Sequence, residues 1–155
     1  MASWGISRLD LAGVGRASHS LKSGNDTSDV THRDKSCASV AIVEDDIYVL
    51  RSMDRLLRAA GCRTQTFTSA EEFLGQLNSN VFSCLVLDMR LEGMNGLELQ
   101  GQLFRSHHKV PIVFVTAVDL EEVRAAALQA GAVAYLPKPV NEDDLLKAVH
   151  SALGE

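Results

Sequence analysis

The chain has 155 residues, of which 46% are hydrophobic and 23% charged, so it is about the size of one domain with its own core. Its formal net charge is -5, and the acidic excess lies in residues 38–155. It has no basic stripe, which argues against direct binding to nucleic acid. No apolar run approaches the roughly 18 residues of a membrane span, which argues against a membrane protein.

The spacing of the cysteines indicates a reducing cellular compartment. Cys37, Cys62 and Cys84 are widely spaced and form no CxxC pair, which argues against a zinc site or a disulfide framework. The N-terminus also lacks the basic start and apolar core of a secretion signal. We therefore predict a cytoplasmic protein.

Residues 1–36 are rich in Ser, Gly, Asp and Thr without a sustained period, which predicts a disordered N-terminal extension. Residues 37–155 are predicted to form one domain. Short apolar runs predict strands over residues 38–43, 62–67, 81–87, 110–115 and 132–136. Helical periodicity predicts helices over residues 47–60, 69–77, 95–106, 119–130 and 141–153. Strict alternation predicts a doubly wound α/β fold with a parallel sheet, but it does not give the strand order.

Polar residues that a core does not need follow four of the predicted strands. They are Glu44 and Asp45, Asp88, Thr116, and Lys138. Because parallel strands end at one edge of the sheet, we expect these groups to meet there. Carboxylates that lie close together repel each other unless a cation is present, and their hard oxygen atoms suit Mg²⁺. A hydroxyl and an ammonium group beside them can stabilise phosphoryl oxygens during transfer to a carboxylate.

Each of these residues has a simpler role when it is taken alone. A strand-end aspartate such as Asp88 can cap a turn, Thr116 can be a turn residue, and Lys138 can be a solvated charge. Asp46, the last of the acidic triplet, is predicted to be the N-cap of the first helix. The ordered combination of these residues, and no single one of them, indicates phosphoryl transfer to a carboxylate.

Four motifs stand in order along the chain: Val43-Glu44-Asp45 after the first strand, Asp88 in LVLDMRLEGMNG, Thr116 in VFVTA and Lys138 in LPKP. Residues 37–155 thereby resemble the response-regulator receiver domains of two-component signalling. The resemblance implies a flavodoxin-like (βα)5 fold with five parallel strands in the order 2-1-3-4-5.

The resemblance also implies roles for the residues at the strand ends. Asp88 would accept a phosphoryl group from a sensor histidine kinase or a histidine phosphotransfer protein. Mg²⁺ would be held by Asp45, Asp88 and the backbone carbonyl of Arg90, with Glu44 acting through water. Lys138 would contact the phosphoryl oxygens.

Further implied roles concern the switch and the output. Thr116 would hydrogen-bond a phosphoryl oxygen, and Tyr135 matches the aromatic residue that turns inward with it. The surface of residues 119–152 would then engage a downstream protein target, a phosphotransfer protein or a second copy in a phosphorylation-dependent homodimer. Such a switch is a population shift that the phosphate biases.

The loop after Asp88 departs from the family pattern. Glu92 stands where the family usually has proline, which predicts a more mobile loop. Arg90 and Val118 occupy positions thought to tune phosphate lifetime, and neither side chain can orient an attacking water. Slow intrinsic dephosphorylation is therefore predicted.

Three hypotheses for the whole function follow. The first is a stand-alone receiver, a signalling domain that catalyses only its own phosphorylation and dephosphorylation. The second is the receiver part of a DNA-binding transcription regulator. The third is a Mg²⁺-dependent phosphatase with Asp88 as nucleophile; Arg90 argues against it, because such enzymes place a second acid at that position.

Overall fold

The computed structural model describes residues 38–155 as alternating strands and helices. The strands are β1 (Ser39–Val43), β2 (Arg63–Phe67), β3 (Cys84–Leu87), β4 (Ile112–Thr116) and β5 (Ala134–Pro137). The helices are α1 (Ile47–Ala59), α2 (Ala70–Gln76), α3 (Gly96–Arg105), α4 (Glu121–Gln129) and α5 (Glu142–Ala152). The predicted extension over residues 1–36 lies outside the described residues. Within residues 38–155, no helix combines the length and the apolar character needed to cross a membrane.

The strands form one parallel sheet in the order β2-β1-β3-β4-β5, which confirms the predicted fold and strand order. Val43 pairs with Phe67 on one side and with Leu87 on the other, and Leu87 pairs with Phe114. This register aligns the ends of the strands. The residues that follow β1, β3, β4 and β5 therefore meet at one edge of the sheet.

Two apolar layers cover the sheet, because successive side chains of a strand point to opposite faces. On one face, Leu87 and Phe114 pack in a cluster with Leu99 of α3. On the other face, Ile42 packs in a cluster with Leu145 of α5. All five side chains are fully buried, and each contributes on the order of 1.5–3 kcal/mol of transfer free energy. The sheet whose edge carries the predicted polar residues is therefore packed on both faces.

The strand β3 is shorter than predicted. The apolar run suggested a strand from residue 81, but β3 begins at Cys84 and Val81 is 79% exposed. Phe82 turns into the core and packs edge-on against Phe67, with their ring centroids 6.1 Å apart. An apolar residue can thus be buried beside a strand without belonging to it, and periodicity does not separate the two cases.

The helix starts agree with the prediction at α1 and differ at α4. Asp46 is the N-cap of α1, as predicted, because its Oδ1 accepts hydrogen bonds from the backbone N–H groups of Tyr48 and Val49. At α4 the helix begins at Glu121, two residues later than the predicted start at residue 119. The N-cap position is held by Leu120, which offers no side-chain acceptor, and Asp119 lies one residue earlier.

Candidate functional site

The predicted polar residues meet at the carboxyl edge of the sheet. Glu44 follows β1, Asp88 follows β3, Thr116 ends β4 and Lys138 follows β5. Backbone hydrogen bonds prolong the ladder past the strand ends: the N–H of Asp88 donates to Val43 O over 3.1 Å and that of Lys138 donates to Thr116 O over 3.0 Å. The same pairing that builds the sheet therefore sets the spacing of these side chains.

One ammonium group bridges two buried carboxylates. Lys138 Nζ lies 2.7 Å from Glu44 Oε1 and 3.2 Å from Asp88 Oδ2. Glu44 is fully buried and Asp88 is 5% exposed, whereas the Lys138 side chain retains 19% of its exposure. Two buried negative charges therefore face one positive charge, and the interior of the site carries an excess of negative charge.

Burial and charge shift the pKa values of this group. Burial raises the pKa of the Glu44 carboxyl, and it outweighs the lowering by Lys138 and by the backbone N–H of Asp46. Burial alone would lower the pKa of the Lys138 ammonium, but contact with Glu44 and the charge of Asp88 raise it above its ordinary value. Lys138 is therefore fully charged at neutral pH.

The acidic residues fit a divalent cation. Glu44, Asp45 and Asp88 each offer an oxygen, and these oxygens lie within 4.8 Å of one another. Glu44 Oε2 accepts a hydrogen bond from the N–H of Asp46, whereas Oε1 is ion-paired with Lys138 and is not otherwise hydrogen-bonded within residues 38–155. Three carboxylates that share a single ammonium form a cluster of excess negative charge, and such a cluster suits a hard ion such as Mg²⁺.

The backbone after Asp88 turns back toward its carboxylate. The N–H of Arg90 donates to Asp88 Oδ1 over 3.2 Å, and the Arg90 side chain is exposed. Asp88 thus uses one oxygen for this turn and the other for Lys138. The contact with the Arg90 N–H is the turn cap that a strand-end aspartate can form, because an Asp side chain readily accepts from the backbone N–H two residues further on.

Thr116 and Tyr135 share one backbone partner. Thr116 Oγ1 accepts from the N–H of Val118 over 3.1 Å, and Tyr135 OH donates to the carbonyl of Val118 over 2.7 Å. Both side chains are buried, and the Tyr135 ring lies 5.9 Å from that of Phe114. Burial, followed by the charges of Asp119 and Asp88, raises the pKa of Tyr135. The tyrosine therefore faces inward and donates as a neutral phenol.

The loop between β3 and α3, residues 88–95, is anchored at both ends. The N–H of Gly96 donates to Met89 O over 2.9 Å, and Asn95 and Glu98 form a capping box at the start of α3. Glu71 of α2 adds a third anchor, because its Oε2 accepts from the N–H of Met94 over 3.0 Å. These contacts lie on both sides of Glu92, and the mobility that the lack of a proline predicts there stays a prediction.

A comparison with protein families decides the assignment. The model described as the response regulator receiver domain matches residues 40–150. The chain belongs to the response regulator receiver domain family. Receiver domains are signalling domains that interact with histidine kinases and bind Mg²⁺ at an acidic pocket, and this receiver has such an acidic cluster at the carboxyl edge of its sheet.

Individual relatives agree with the family. Nodulation protein W of Bradyrhizobium diazoefficiens is 42% identical over 115 residues, which cover 74% of this chain and 51% of that protein. The DNA-binding transcriptional regulator NtrC of Klebsiella pneumoniae is 35% identical over 112 residues, 72% of this chain and 24% of that protein. A receiver protein of Burkholderia phymatum of known structure is 42% identical with a TM-score of 0.67, over 76% of this chain and 95% of that chain. The receiver spans about half the length of the first curated relatives that it matches.

Proposed function

We propose that Asp88 is the phospho-acceptor of this receiver and that the donor is a phosphohistidine of a sensor histidine kinase or a histidine phosphotransfer protein. A carboxylate oxygen of Asp88 forms the new bond to phosphorus, the bond between phosphorus and the histidine nitrogen breaks, and the imidazole takes up a proton. The observation that carries the proposal is the pairing of the buried Asp88 carboxylate with Lys138, beside two further acids.

The neighbouring residues have distinct roles in this proposal. Asp45, Asp88 and the backbone carbonyl of Arg90 would hold Mg²⁺, with Glu44 contributing through water. The ion would supply positive charge to a site that otherwise repels a phosphoryl group. Lys138 orients Asp88 before transfer and can follow the phosphoryl oxygens afterwards, since its ammonium already bridges two acceptors.

The proposal predicts uptake of one phosphoryl group that depends on Asp88. The protein is incubated with Mg²⁺ and either acetyl phosphate or phosphoramidate, which carries the same phosphorus–nitrogen bond as phosphohistidine, and its intact mass is measured. We expect the wild type to gain one phosphoryl group with Mg²⁺ and Asp88→Asn to gain none. Asp46→Asn is the matched control, because it removes a neighbouring carboxylate but keeps an N-cap acceptor. A wild type without uptake, or uptake by Asp88→Asn, contradicts the proposal.

The phosphorylated protein is predicted to be long-lived. The Arg90 side chain is exposed, and Val118 presents only its backbone to Thr116 and Tyr135. Neither side chain can activate water. After the donor is removed, we expect intact mass to show loss of the phosphate over minutes or longer, and Arg90→Glu, which adds a candidate base, to lose it about tenfold faster. Loss from the wild type within seconds contradicts this prediction.

We propose that the switch runs through Val118. Recruitment of the Thr116 hydroxyl by a phosphoryl oxygen would release the N–H of Val118, whose carbonyl holds Tyr135. The change would then reach the surface of residues 119–152, where a downstream protein or a second copy binds. We also propose that this receiver acts in the cytoplasm, where it would meet these partners.

The transcriptional output hypothesis has specific support. One relative is a DNA-binding transcriptional regulator, and the first curated relatives are about twice as long as the part that they share with this chain. We therefore propose that output runs through a regulator of transcription, and a stand-alone receiver is the alternative. The reading frame of the native transcript distinguishes them: a DNA-binding region fused to the receiver supports the first, and a stop codon directly after Glu155 supports the second.

A further inference from the structure

Glu71 makes a long-range contact that its place in the chain does not explain. It lies in the first turn of α2, on an exposed surface, and its Oε2 accepts a hydrogen bond from the N–H of Met94, 23 residues further along the chain. Its neighbour Glu72 instead accepts from the N–H of Thr68 and serves the start of its own helix. Two adjacent glutamates of the same turn therefore have different partners.

Gly93 makes room for this contact. A Cβ at Gly93 would lie 2.8 Å from Glu71 Oε2, closer than nonbonded atoms approach, and the backbone φ of +79° is one that glycine adopts without strain. The carboxylate therefore rests directly on the backbone of Gly93 while it accepts from the next residue. Any side chain at Gly93 would displace it.

The contact completes the anchoring of the β3–α3 loop. The start of the loop is held by the Arg90 N–H on Asp88 Oδ1, and its end by the capping box of Asn95 and Glu98. Glu92 is exposed between these anchors. Glu71 holds the segment next to it, so the path of the backbone from Arg90 to the start of α3 depends on α2.

We propose that Glu71 is a positioning residue for the metal site: it fixes the β3–α3 loop so that the Arg90 carbonyl is preorganised for Mg²⁺. The inference rests on the proposed function, because it assumes that Arg90 supplies a ligand. Glu71 acts only through the backbone and touches neither the ion nor the phosphoryl group. Its contribution is therefore to the affinity for Mg²⁺ and not to the chemistry of Asp88.

The test measures Mg²⁺ binding by titration calorimetry, without any phosphoryl donor. The net contribution of one hydrogen bond corresponds to a factor of about three to ten, and this is the upper limit for the loss of preorganisation, so Glu71→Ala is expected to raise the Kd for Mg²⁺ by up to about that factor. Glu71→Gln retains an acceptor oxygen and is expected to restore most of the affinity. Glu72→Ala also loses a hydrogen bond of α2 but none to the loop, and its Kd is expected to equal that of the wild type. An unchanged Kd in Glu71→Ala, or an equal rise in Glu72→Ala, overturns the proposal.

Phosphoryl uptake separates this inference from the proposed function. At saturating Mg²⁺, Glu71→Ala is expected to be phosphorylated at nearly the wild-type rate, while its half-saturating Mg²⁺ concentration rises with its Kd. If the wild type binds Mg²⁺ but takes up no phosphoryl group, the proposed function is contradicted and the proposed role of Glu71 in Mg²⁺ binding is not. A fall in the saturated rate without a change in half-saturation defeats the role of Glu71 alone.

A double substitution tests the contact itself. Gly93→Ala should lower the urea midpoint of unfolding and raise the Kd for Mg²⁺, because its methyl group collides with the Glu71 carboxylate and its backbone is strained. In the Glu71→Ala background the collision partner is absent, so the same substitution should have a smaller effect on both quantities. Strictly additive effects would show that the two residues are not coupled and would overturn the proposal.

Discussion

Lys138→Ala is expected to lower the free energy of unfolding by about 3 kcal/mol at neutral pH without Mg²⁺. The reason is that Glu44 and Asp88 would remain buried and close together with no positive charge between them. Removing one partner of a buried ion pair costs about 3–5 kcal/mol, and the partial exposure of Lys138 places the effect at the low end. Urea unfolding followed by circular dichroism measures it.

The loss should depend on pH in a defined direction. Burial already raises the pKa of Glu44 above its ordinary value of 4.5, and the substitution removes a group that lowers it. Because the folded protein then binds the proton more tightly than the unfolded chain, the deficit shrinks as the pH falls through the raised pKa of Glu44 toward 4.5. A deficit that grows over this range would show that the Glu44 charge is not its cause.

Mg²⁺ should also reduce the deficit. An ion bound among the carboxylates replaces the missing positive charge, so the variant should be stabilised by Mg²⁺ more than the wild type is. Lys147→Ala is the matched control, because Lys147 is an exposed lysine of α5 outside the site. It is expected to change the free energy of unfolding by less than about 0.5 kcal/mol, with or without Mg²⁺.

Residues at strand ends were accessible to prediction from the sequence because their positions follow from the fold class. Asp88 ends an apolar run, and a parallel sheet brings all such ends to one edge. Once the strands were identified, Asp88, Glu44 and Lys138 were expected at the same edge of the sheet, but which of them are neighbours depends on the strand order. The strand order came from the family resemblance, because alternation of strands and helices is compatible with several orders.

Contacts through the backbone were not accessible in this way. Val118 was noted only for what its side chain lacks, yet its N–H and carbonyl join Thr116 to Tyr135. Glu71 fitted the start of a helix in sequence, and its bond to Met94 depends on the distance between α2 and a loop from another part of the chain. Residue types do not specify which backbone N–H or carbonyl group a side chain will contact. The contacts of the β3–α3 loop are for that reason the part that the sequence described least well.

Gly96→Ala is expected to destabilise the protein by about 2–3 kcal/mol, although the added group is a single methyl in a helix. Gly96 opens α3 directly beneath the site. A Cβ there would lie 2.7 Å from the carbonyl oxygen of Asp88, 2.9 Å from Met89 Cα and 3.0 Å from the ring of Phe114. Two of these atoms belong to the backbone, so the main chain at Asp88 must move.

Gly75→Ala provides a matched comparison of opposite sign. Gly75 lies within α2, and a Cβ there would have no atom of residues 38–155 within 4 Å, so alanine is expected to raise the free energy of unfolding by about 0.5–1 kcal/mol through its helix propensity. Urea unfolding of both variants measures the contrast. If Gly96→Ala were as stable as Gly75→Ala, the close approach of α3 to the Asp88 backbone would be wrong.

The same pair tests how tightly the site depends on this packing. A shift of the Asp88 main chain changes the distance from its carboxylate to Lys138 and to the other acids, and small displacements of reacting groups lower rates strongly. We therefore expect Gly96→Ala to take up the phosphoryl group from acetyl phosphate at least about tenfold more slowly than the wild type. Both rates are measured without urea, where both proteins are folded. Gly75→Ala should keep the wild-type rate. Equal rates in all three proteins would mean that Asp88 tolerates movement of its backbone, and that the close packing beneath it serves stability alone.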